Sequence, residues 1–378
     1  MGYRVAMVGA CPFPAPLGSQ ILLRDTAMAL RDRGHEVHLV VYGYGVGAEP
    51  EGLLVHRCVG LPGVRKIASG PTVLKPVFDA ALMSTLRRVV RRYQIELVHA
   101  HNYEGLLVAL AAGKRPILYQ AHNAMADELP YFLRPRPLAR AFGRFLDRRF
   151  PRRADHILVP HHPLAAYLVA CGCVPAKIWV LPPSCDAAAF PDRATAADPL
   201  PAVLYTGNLD PYQNLGFLVE VMRRVREARP NARLRVATPS RGALDEAEMV
   251  VTPDLDSLCH ELAEDVVVVC PRVSWSGFPI KLLNAMAAAR PVVACRSSAY
   301  LITPGHDGLI VDDNDVEGCC RAILRLLNDS ELRGRLGSNA RASIQARHDP
   351  RAYAAAIELL YDKLLGRARQ GQNSPSNY

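Results

Sequence analysis

Short apolar runs alternate along the chain with longer stretches in which apolar residues recur every three or four positions. In the first half, Arg4–Val8, Glu36–Val41, Leu97–Ala100, Ile117–Gln120, His156–Val159 and Ile178–Leu181 read as strands. Helical spacing covers Gln20–Arg33, Pro76–Tyr93, Glu104–Ala112 and Pro163–Cys171. A segment rich in Pro, Ala and Asp, Pro182 to Pro201, breaks the pattern and reads as a linker. The alternation then resumes, with strands at Ala202–Thr206, Leu234–Ala237, Val266–Cys270, Pro291–Ala294 and Leu309–Val311. Helices are expected at Leu215–Arg229, Lys281–Ala289, Asp315–Leu327 and Pro350–Leu365. Strands that alternate with helices imply parallel sheets covered on both faces. The expected architecture is α/β, with two Rossmann-like, doubly wound domains facing each other across a cleft. They span residues 1–183 and 201–349 about a linker at 184–200, with a last helix at 350–366 and a disordered tail at 367–378. Open sheets of this kind bind ligands beyond the carboxyl ends of their strands, which makes the cleft the expected site.

The most informative stretch is 271–295. Gly277 and Pro279 stand where the chain must turn before a helix, and the free N–H groups at a helix start can hold phosphate oxygens. Lys281 and Asn284 follow in the first turn or so. Leu282, Leu283, Ala285, Met286 and Ala289 give that helix its apolar face, Arg290-Pro291 ends it, and Val292–Ala294 forms a buried strand. On local grounds this is equally one more loop–helix–strand unit of an α/β core. The first strand leads into Gly9-Ala-Cys-Pro-Phe-Pro-Ala-Pro-Leu-Gly18-Ser19-Gln20, a proline-rich loop without the G-x-G-x-x-G spacing, which argues against a nicotinamide or flavin cofactor. Gly18-Ser19 at a helix start suits close approach to an anion or a sugar.

With 378 residues, half of them hydrophobic, the chain is long enough for two cores. The net charge of +9 is unevenly placed: residues 1–190 carry 23 basic and 13 acidic side chains, and residues 191–378 carry 22 and 23. Within the basic half, Arg134, Arg136, Arg140, Arg144, Arg148, Arg149, Arg152 and Arg153 interleave with Leu138, Phe142, Phe145, Leu146 and Phe150. A helix here carries a basic stripe beside an aromatic one. Either the aromatics pack into their own domain beneath a solvated surface, or the helix docks on anionic lipid headgroups, each cation contributing about 1 kcal/mol. Nucleic acid is not expected, since no reading motif accompanies the arginines. Ten scattered cysteines without metal or redox spacing fit small core residues in a reducing cytoplasm. No metal is expected, because His99 and His101 share a strand face with no third ligand nearby. The longest uncharged stretch, Ile157–Ala176, holds three prolines and a glycine and cannot span a membrane. The N-terminus has a strand pattern rather than the layout of a secretory signal, and Ala6 spoils a myristoylation match.

Taken together, Gly18-Ser19, Val98-His99-Ala100-His101-Asn102, Gln120-Ala121-His122-Asn123, Tyr205-Thr206-Gly207-Asn208-Leu209, the 277–295 unit and Gly305-His306-Asp307-Gly308-Leu309-Ile310-Val311 resemble the GT-B-fold retaining glycosyltransferases called family 4. The resemblance covers nearly the whole chain. It implies transfer of a sugar from a nucleotide-diphosphate co-substrate, with retention at the anomeric carbon, no bound cofactor and no metal. It also implies a last helix that crosses back to the first domain. His122 takes the place of a histidine beside the reacting sugar, where it would hydrogen-bond the sugar and support developing positive charge. The donor would be held by Gly18, Ser19, Gly207, Asn208, Gln213, Ser276, Gly277, Phe278, Pro279, Ile280, Lys281 and Asn284. His101, Asn102, Glu104, Asn123 and Glu128 would lie on the acceptor side, whose pocket loops are 11–20 and 123–136.

The chain departs from the family in the donor site. Two glutamates eight positions apart are Ser276 and Asn284, and an Arg and a Lys that clamp the diphosphate are Asn208 and Gln213. Two cations and two anions are lost together, and Lys281 is placed to restore one positive charge. The turn from Thr238 to Leu244 replaces a glycine-rich one, so a base preference does not carry over. The expected function is a retaining glycosyltransferase with a lipid-linked or cell-envelope acceptor, at the cytoplasmic face of the membrane. The contrasting expectation is a non-catalytic relative that binds or scaffolds. A sugar-nucleotide epimerase, with Glu104, Asp127 and Glu128 as the acid/base candidates, ranks last.

Overall fold

The computed structural model describes residues 2–47, 49–60, 72, 74–192, 201–239 and 241–367. The expected tail beyond Arg367, the end of the expected linker at 193–200, and Ser240 in the 238–244 turn lie outside the described residues.

The first sheet is formed by β1 (Arg4–Gly9), β2 (Glu36–Val41), β3 (Leu54–Arg57), β4 (Leu97–His101), β5 (Ile117–Gln120), β6 (His156–Val159) and β7 (Ile178–Val180). All pairings are parallel, in the order β3-β2-β1-β4-β5-β6-β7. It is flanked by α1 (Gly18–Asp32), α2 (Lys75–Arg92), α3 (Asn102–Ala112), α4 (Met125–Phe132), α5 (Arg136–Arg149) and α6 (His162–Ala170). The second sheet comprises β8 (Ala202–Thr206), β9 (Leu234–Thr238), β10 (Glu248–Val251), β11 (Val266–Cys270), β12 (Val292–Cys295) and β13 (Leu309–Val311), also wholly parallel, in the order β10-β9-β8-β11-β12-β13. Its helices are α7 (Leu215–Ala228), α8 (Leu255–Ala263), α9 (Ile280–Ala287), α10 (Val316–Asn328) and α11 (Ser330–Arg347). Strands buried on both faces need apolar residues at every position, and β11, Val-Val-Val-Val-Cys, is buried throughout.

In each sheet the chain starts in the middle and winds outward both ways. The strand order therefore reverses between β1 and β4 in the first sheet and between β8 and β11 in the second. Those reversals open crevices at the carboxyl ends of the strands.

The last helix, α12 (Pro350–Leu365), packs on the first sheet. Tyr353, Ala354, Ile357, Leu360 and Tyr361 join the core formed by Val5, Met7 and Leu23. Gln120 Nε2 donates to Tyr353 Oη at 2.9 Å, His99 Nδ1 lies 2.8 Å from Tyr361 Oη, and Glu358 accepts two bonds from Arg33. The chain thus passes between the sheets twice, and the two passages are tied together: Cys185 N donates to His348 O at 2.9 Å, and His348 Nδ1 to Pro183 O at 2.7 Å.

α5 is seated by a narrow stripe of small side chains. Its buried residues are Ala139, Gly143 and Asp147, four apart. A Cβ at Gly143 would fall 2.5 Å from the Met125 and Ala126 backbone, so only glycine lets α5 come this close to the start of α4. One turn on, the Asp147 carboxylate accepts from Met125 N and Ala126 N at 3.0 Å, satisfying two N–H groups of the first turn of α4. With so thin a seat, the rest of α5 faces outward. Leu138, Phe142 and Phe145 are 67%, 52% and 57% exposed, so these three do not pack into their own domain. All eight arginines of 134–153 are exposed, and none is paired with a carboxylate among the described residues.

No described helix is long and apolar enough to cross a membrane. Nine of the ten cysteines are buried and all are unpaired.

Candidate active site

Both switch points open into one cleft of about 940 Å³ between the sheets. The first domain contributes the loop after β1, Asn102 after β4, His122 and Asn123 after β5, and Glu104, Glu128 and Tyr131. The second contributes Gly207, Asn208, Tyr212 and Gln213 after β8, and Arg272, Ser276 and Asn284 after β11, with the turn from Gly277 through Phe278, Pro279 and Ile280 to Lys281. Every expected site residue lines this cleft except His101, which lies beneath it, 1% exposed.

The loop after β1 narrows to Gly18-Ser19, and α1 begins there without a side-chain cap. α9 also begins uncapped, after Pro279, and the two helix starts converge: a Cβ at Gly18 would touch Ile280 Cγ1 at 3.6 Å. The N–H groups at the α1 start, Lys281 N of α9, whose neighbours Ile280 N and Leu282 N are bonded to Phe278 O and Pro279 O, and two positive dipole ends form a seat for an anion.

Beside them lies a polar relay whose middle members, Gln213 and Asn208, are neutral amides. Lys281 Nζ donates to Gln213 Oε1 at 2.8 Å, Gln213 Nε2 to Asn208 Oδ1 at 2.7 Å, and Asn208 Nδ2 to Asp210 at 2.6 Å and Tyr212 Oη at 2.9 Å. Lys281 Nζ also rests 4.0 Å above the Tyr205 ring. It leans on Gly207, whose φ of 122° and missing Cβ, which would stand 3.2 Å from Nζ, are both open to glycine alone. No carboxylate holds Lys281 among the described residues. Burial pushes its ammonium down to about 7, and the nearby Arg272 charge pushes the same way.

Arg272 was absent from the sequence expectations. Its guanidinium lies 5.1 Å over Tyr212, its Nη2 donates to Ser274 Oγ at 3.1 Å, and its buried Nε has no partner among the described residues. The signal for it was a charged residue two positions beyond a wholly apolar strand. Tyr205 and Tyr212, which support the two cations, were also missed.

On the opposite wall, burial holds the His122 imidazole neutral, its pKa lowered to about 3. Its Nε2 lies 3.3 Å from His101 Nδ1, and His101 packs at 4.5 Å on His99, whose own partner is Tyr361 of α12. Three neutral rings thus back His122 from the last helix to the cleft, and its Nδ1 has no partner among the described residues. Burial, with the Glu104 charge adding to it, pushes the Glu128 carboxyl up to about 7, although Asn123 Nδ2 donates to it. Lys75 pairs with Glu104 at 3.0 Å. No group of three or more His, Cys, Asp or Glu side chains suited to a metal occurs among the described residues.

Where the resemblance calls for a glutamate, Ser276 is 1% exposed and committed elsewhere. Asp127 of α4 reaches over to the second domain, and its Oδ2 accepts from Ser276 N at 3.0 Å, Ser276 Oγ at 2.7 Å and Ser274 Oγ at 2.7 Å. His161 Nε2 adds a bond of 3.0 Å to Ser276 O. Asn284 lines the cleft with its side chain unbonded among the described residues.

Residues 17–189 match the model of Glycosyltransferase Family 4, and residues 200–329 that of Glycosyl transferases group 1. The chain belongs to this glycosyltransferase family. The transferase is 25% identical over 390 residues to a phosphatidyl-myo-inositol mannosyltransferase of Mycolicibacterium smegmatis, covering 96% of this chain and 94% of that protein. It is 26% identical to the sulfoquinovosyl transferase SQD2 of Arabidopsis thaliana, covering 94% and 72%. Among solved structures, the sucrose-phosphate synthase of Thermosynechococcus elongatus superposes with a TM-score of 0.81 at 19% identity, over 97% of this transferase and all of that chain. The Anabaena protein HepE, in complex with UDP and glucose, superposes at 0.72 with 15% identity, over 96% and 100%. The GT-B fold of the transferase is shared with both.

Proposed function

We propose that the protein transfers a sugar, with retention, from a nucleotide-diphosphate donor to a lipid-linked or cell-envelope acceptor at an anionic membrane surface. The observation that carries the donor half is the convergence of two uncapped helix starts with two cations lacking a carboxylate, Lys281 and Arg272, across from His122. A diphosphate supplies the anionic partner that both cations lack, and Asn284 is free to bond ribose hydroxyls. His122, neutral and backed by His101, offers Nδ1 to the donor sugar and stabilises charge that develops as the glycosidic bond breaks. The HepE complex with UDP and glucose supports a nucleotide donor, and the phosphatidyl-myo-inositol mannosyltransferase supports a lipid acceptor. The outward aromatic and basic faces of α5 support the membrane half.

Calorimetric titration with UDP, GDP, ADP and dTDP, then with their sugar conjugates, tests the donor half. One nucleotide is expected to bind, with loss of affinity in Lys281→Met and Arg272→Gln. No binding by any of them in the folded protein would favour the second reading, a non-catalytic relative, whose specific support is the commitment of Ser276 to Asp127. Flotation with anionic vesicles at low salt tests the membrane half, and a protein left wholly in solution overturns it.

A further inference from the structure

A second, smaller cavity of about 290 Å³ opens on the far side of α4 from the cleft, lined by Ala126, Asp127, Arg140, Arg144, Tyr167 and Trp275. That volume is near the lower end of small-ligand pockets, about 300–1,000 Å³. Five of the six residues come from α4, α5 and α6 of the first domain, and Trp275 comes from the second. The Trp275 ring packs edge-on to Tyr167 at 5.2 Å, and Tyr300 Oη donates to the Trp275 carbonyl oxygen. Tyr167 Oη is itself committed to Asp147 Oδ2 at 2.9 Å, which fixes the aromatic wall.

Three features define the chemistry of an occupant. Arg140 and Arg144, one turn apart, bring two exposed guanidiniums without a carboxylate partner among the described residues. Planar guanidiniums bind phosphate oxygens in pairs. The single carboxylate, Asp127, spends Oδ2 on three bonds to the 274–276 loop, which leaves Oδ1 as an acceptor for a hydroxyl. The remaining wall is aromatic, Tyr167 edge-on to Trp275, while the exposed Leu138, Phe142 and Phe145 lie on the other side of α5 from the two arginines.

We propose that this cavity is a second ligand site, for a phosphate ester bearing hydroxyl groups, and that its occupant is the polyol-phosphate headgroup of a membrane lipid. The phosphate lies between Arg140 and Arg144, and a hydroxyl donates to Asp127. The headgroup source rests on the membrane half of the proposed function, whereas the phosphate site does not. Because the occupant touches Trp275, next to Ser276, it contacts both domains at once.

The test uses the full chain with Trp179→Phe, which leaves Trp275 as its one tryptophan. Its emission is followed during titration with phosphatidylglycerol vesicles, with pure phosphatidylcholine vesicles and with soluble glycerol 1-phosphate, alongside flotation. A saturable shift is expected with phosphatidylglycerol and with glycerol 1-phosphate, and none with phosphatidylcholine. Arg140→Gln with Arg144→Gln is expected to weaken the glycerol 1-phosphate response at least tenfold. The same variant still floats with phosphatidylglycerol, through Arg148, Arg149, Arg152 and Arg153. A response to glycerol 1-phosphate without flotation upholds the phosphate site but overturns its lipid source. Flotation without any change at Trp275, or an unchanged response in the double variant, overturns the site itself.

Discussion

Lys281 carries a charge that no carboxylate offsets. The groups around it are the Tyr205 face, the Gln213 amide, Cys270 of β11 and the Arg272 guanidinium, and none is a carboxylate. Its pKa of about 7 in the empty protein must rise when a diphosphate sits beside it, because an adjacent anion favours the charged form. Binding therefore takes up a proton above pH 7, and affinity falls as pH rises, by up to about tenfold per unit. Calorimetry in buffers of differing ionisation enthalpy reads the proton directly, and Lys281→Met is expected to abolish both the uptake and the slope. On the opposite wall, His122→Ala is expected to lower turnover by about 10²-fold or more, with donor affinity little changed, by removing one preorganised polar group from beside the reacting sugar. Steady-state kinetics with an unchanged thermal midpoint checks it, and wild-type-like turnover would exclude the role. His122, Lys281 and Asn284 were legible in the sequence because the resemblance fixes their loops. Arg272 and Asp127 were not, since each acts on a residue far away in the chain, and a single sequence carries no trace of such a pairing.

At the scale of elements, α5 departs from the usual amphipathic arrangement, in which apolar residues face the core. Its seat of Ala139, Gly143 and Asp147 is too narrow to bury the phenylalanines as well. Burying a Phe is worth about 1.5–3 kcal/mol, so Phe142→Ser with Phe145→Ser is expected to weaken vesicle binding by well over tenfold. The thermal midpoint is expected to hold, since neither ring is in the core. A midpoint lowered by several degrees would show that the rings support the fold instead. The sequence could not choose between the two readings of this helix, because an outward aromatic stripe and an inward one have the same spacing. It also gave no sign of the edge strands β3 and β10, which are short and partly exposed and lack a long apolar run, or of α11, where apolar residues are too sparse to register. The central strands of both sheets were legible because parallel strands covered on both faces are continuously apolar.

At the scale of the molecule, the bonds from Asp127 to the 274–276 loop are an explicit tie between the domains. Asp127→Ala leaves Ser276 N and Oγ without their partner and frees the domains to separate. Small-angle scattering is expected to show a larger radius of gyration for the free variant, restored by the nucleotide that binds the wild type. Calorimetry is expected to show weaker nucleotide binding, because part of the binding energy now goes to closure. A variant as compact as the wild type would show that the tie at Asp127 does not hold the domains together.

The knot between Pro183, Cys185 and His348 has a mechanical consequence. Two bodies joined by separate strings can slide and twist past each other, but two strings fastened together at one place leave mainly a swing about that place. Ser184, Cys185 and Pro350 also line the cleft, so the pivot stands at its edge rather than behind it. A swing about that edge would open the cleft least at Cys185 and most at the residues farthest from it.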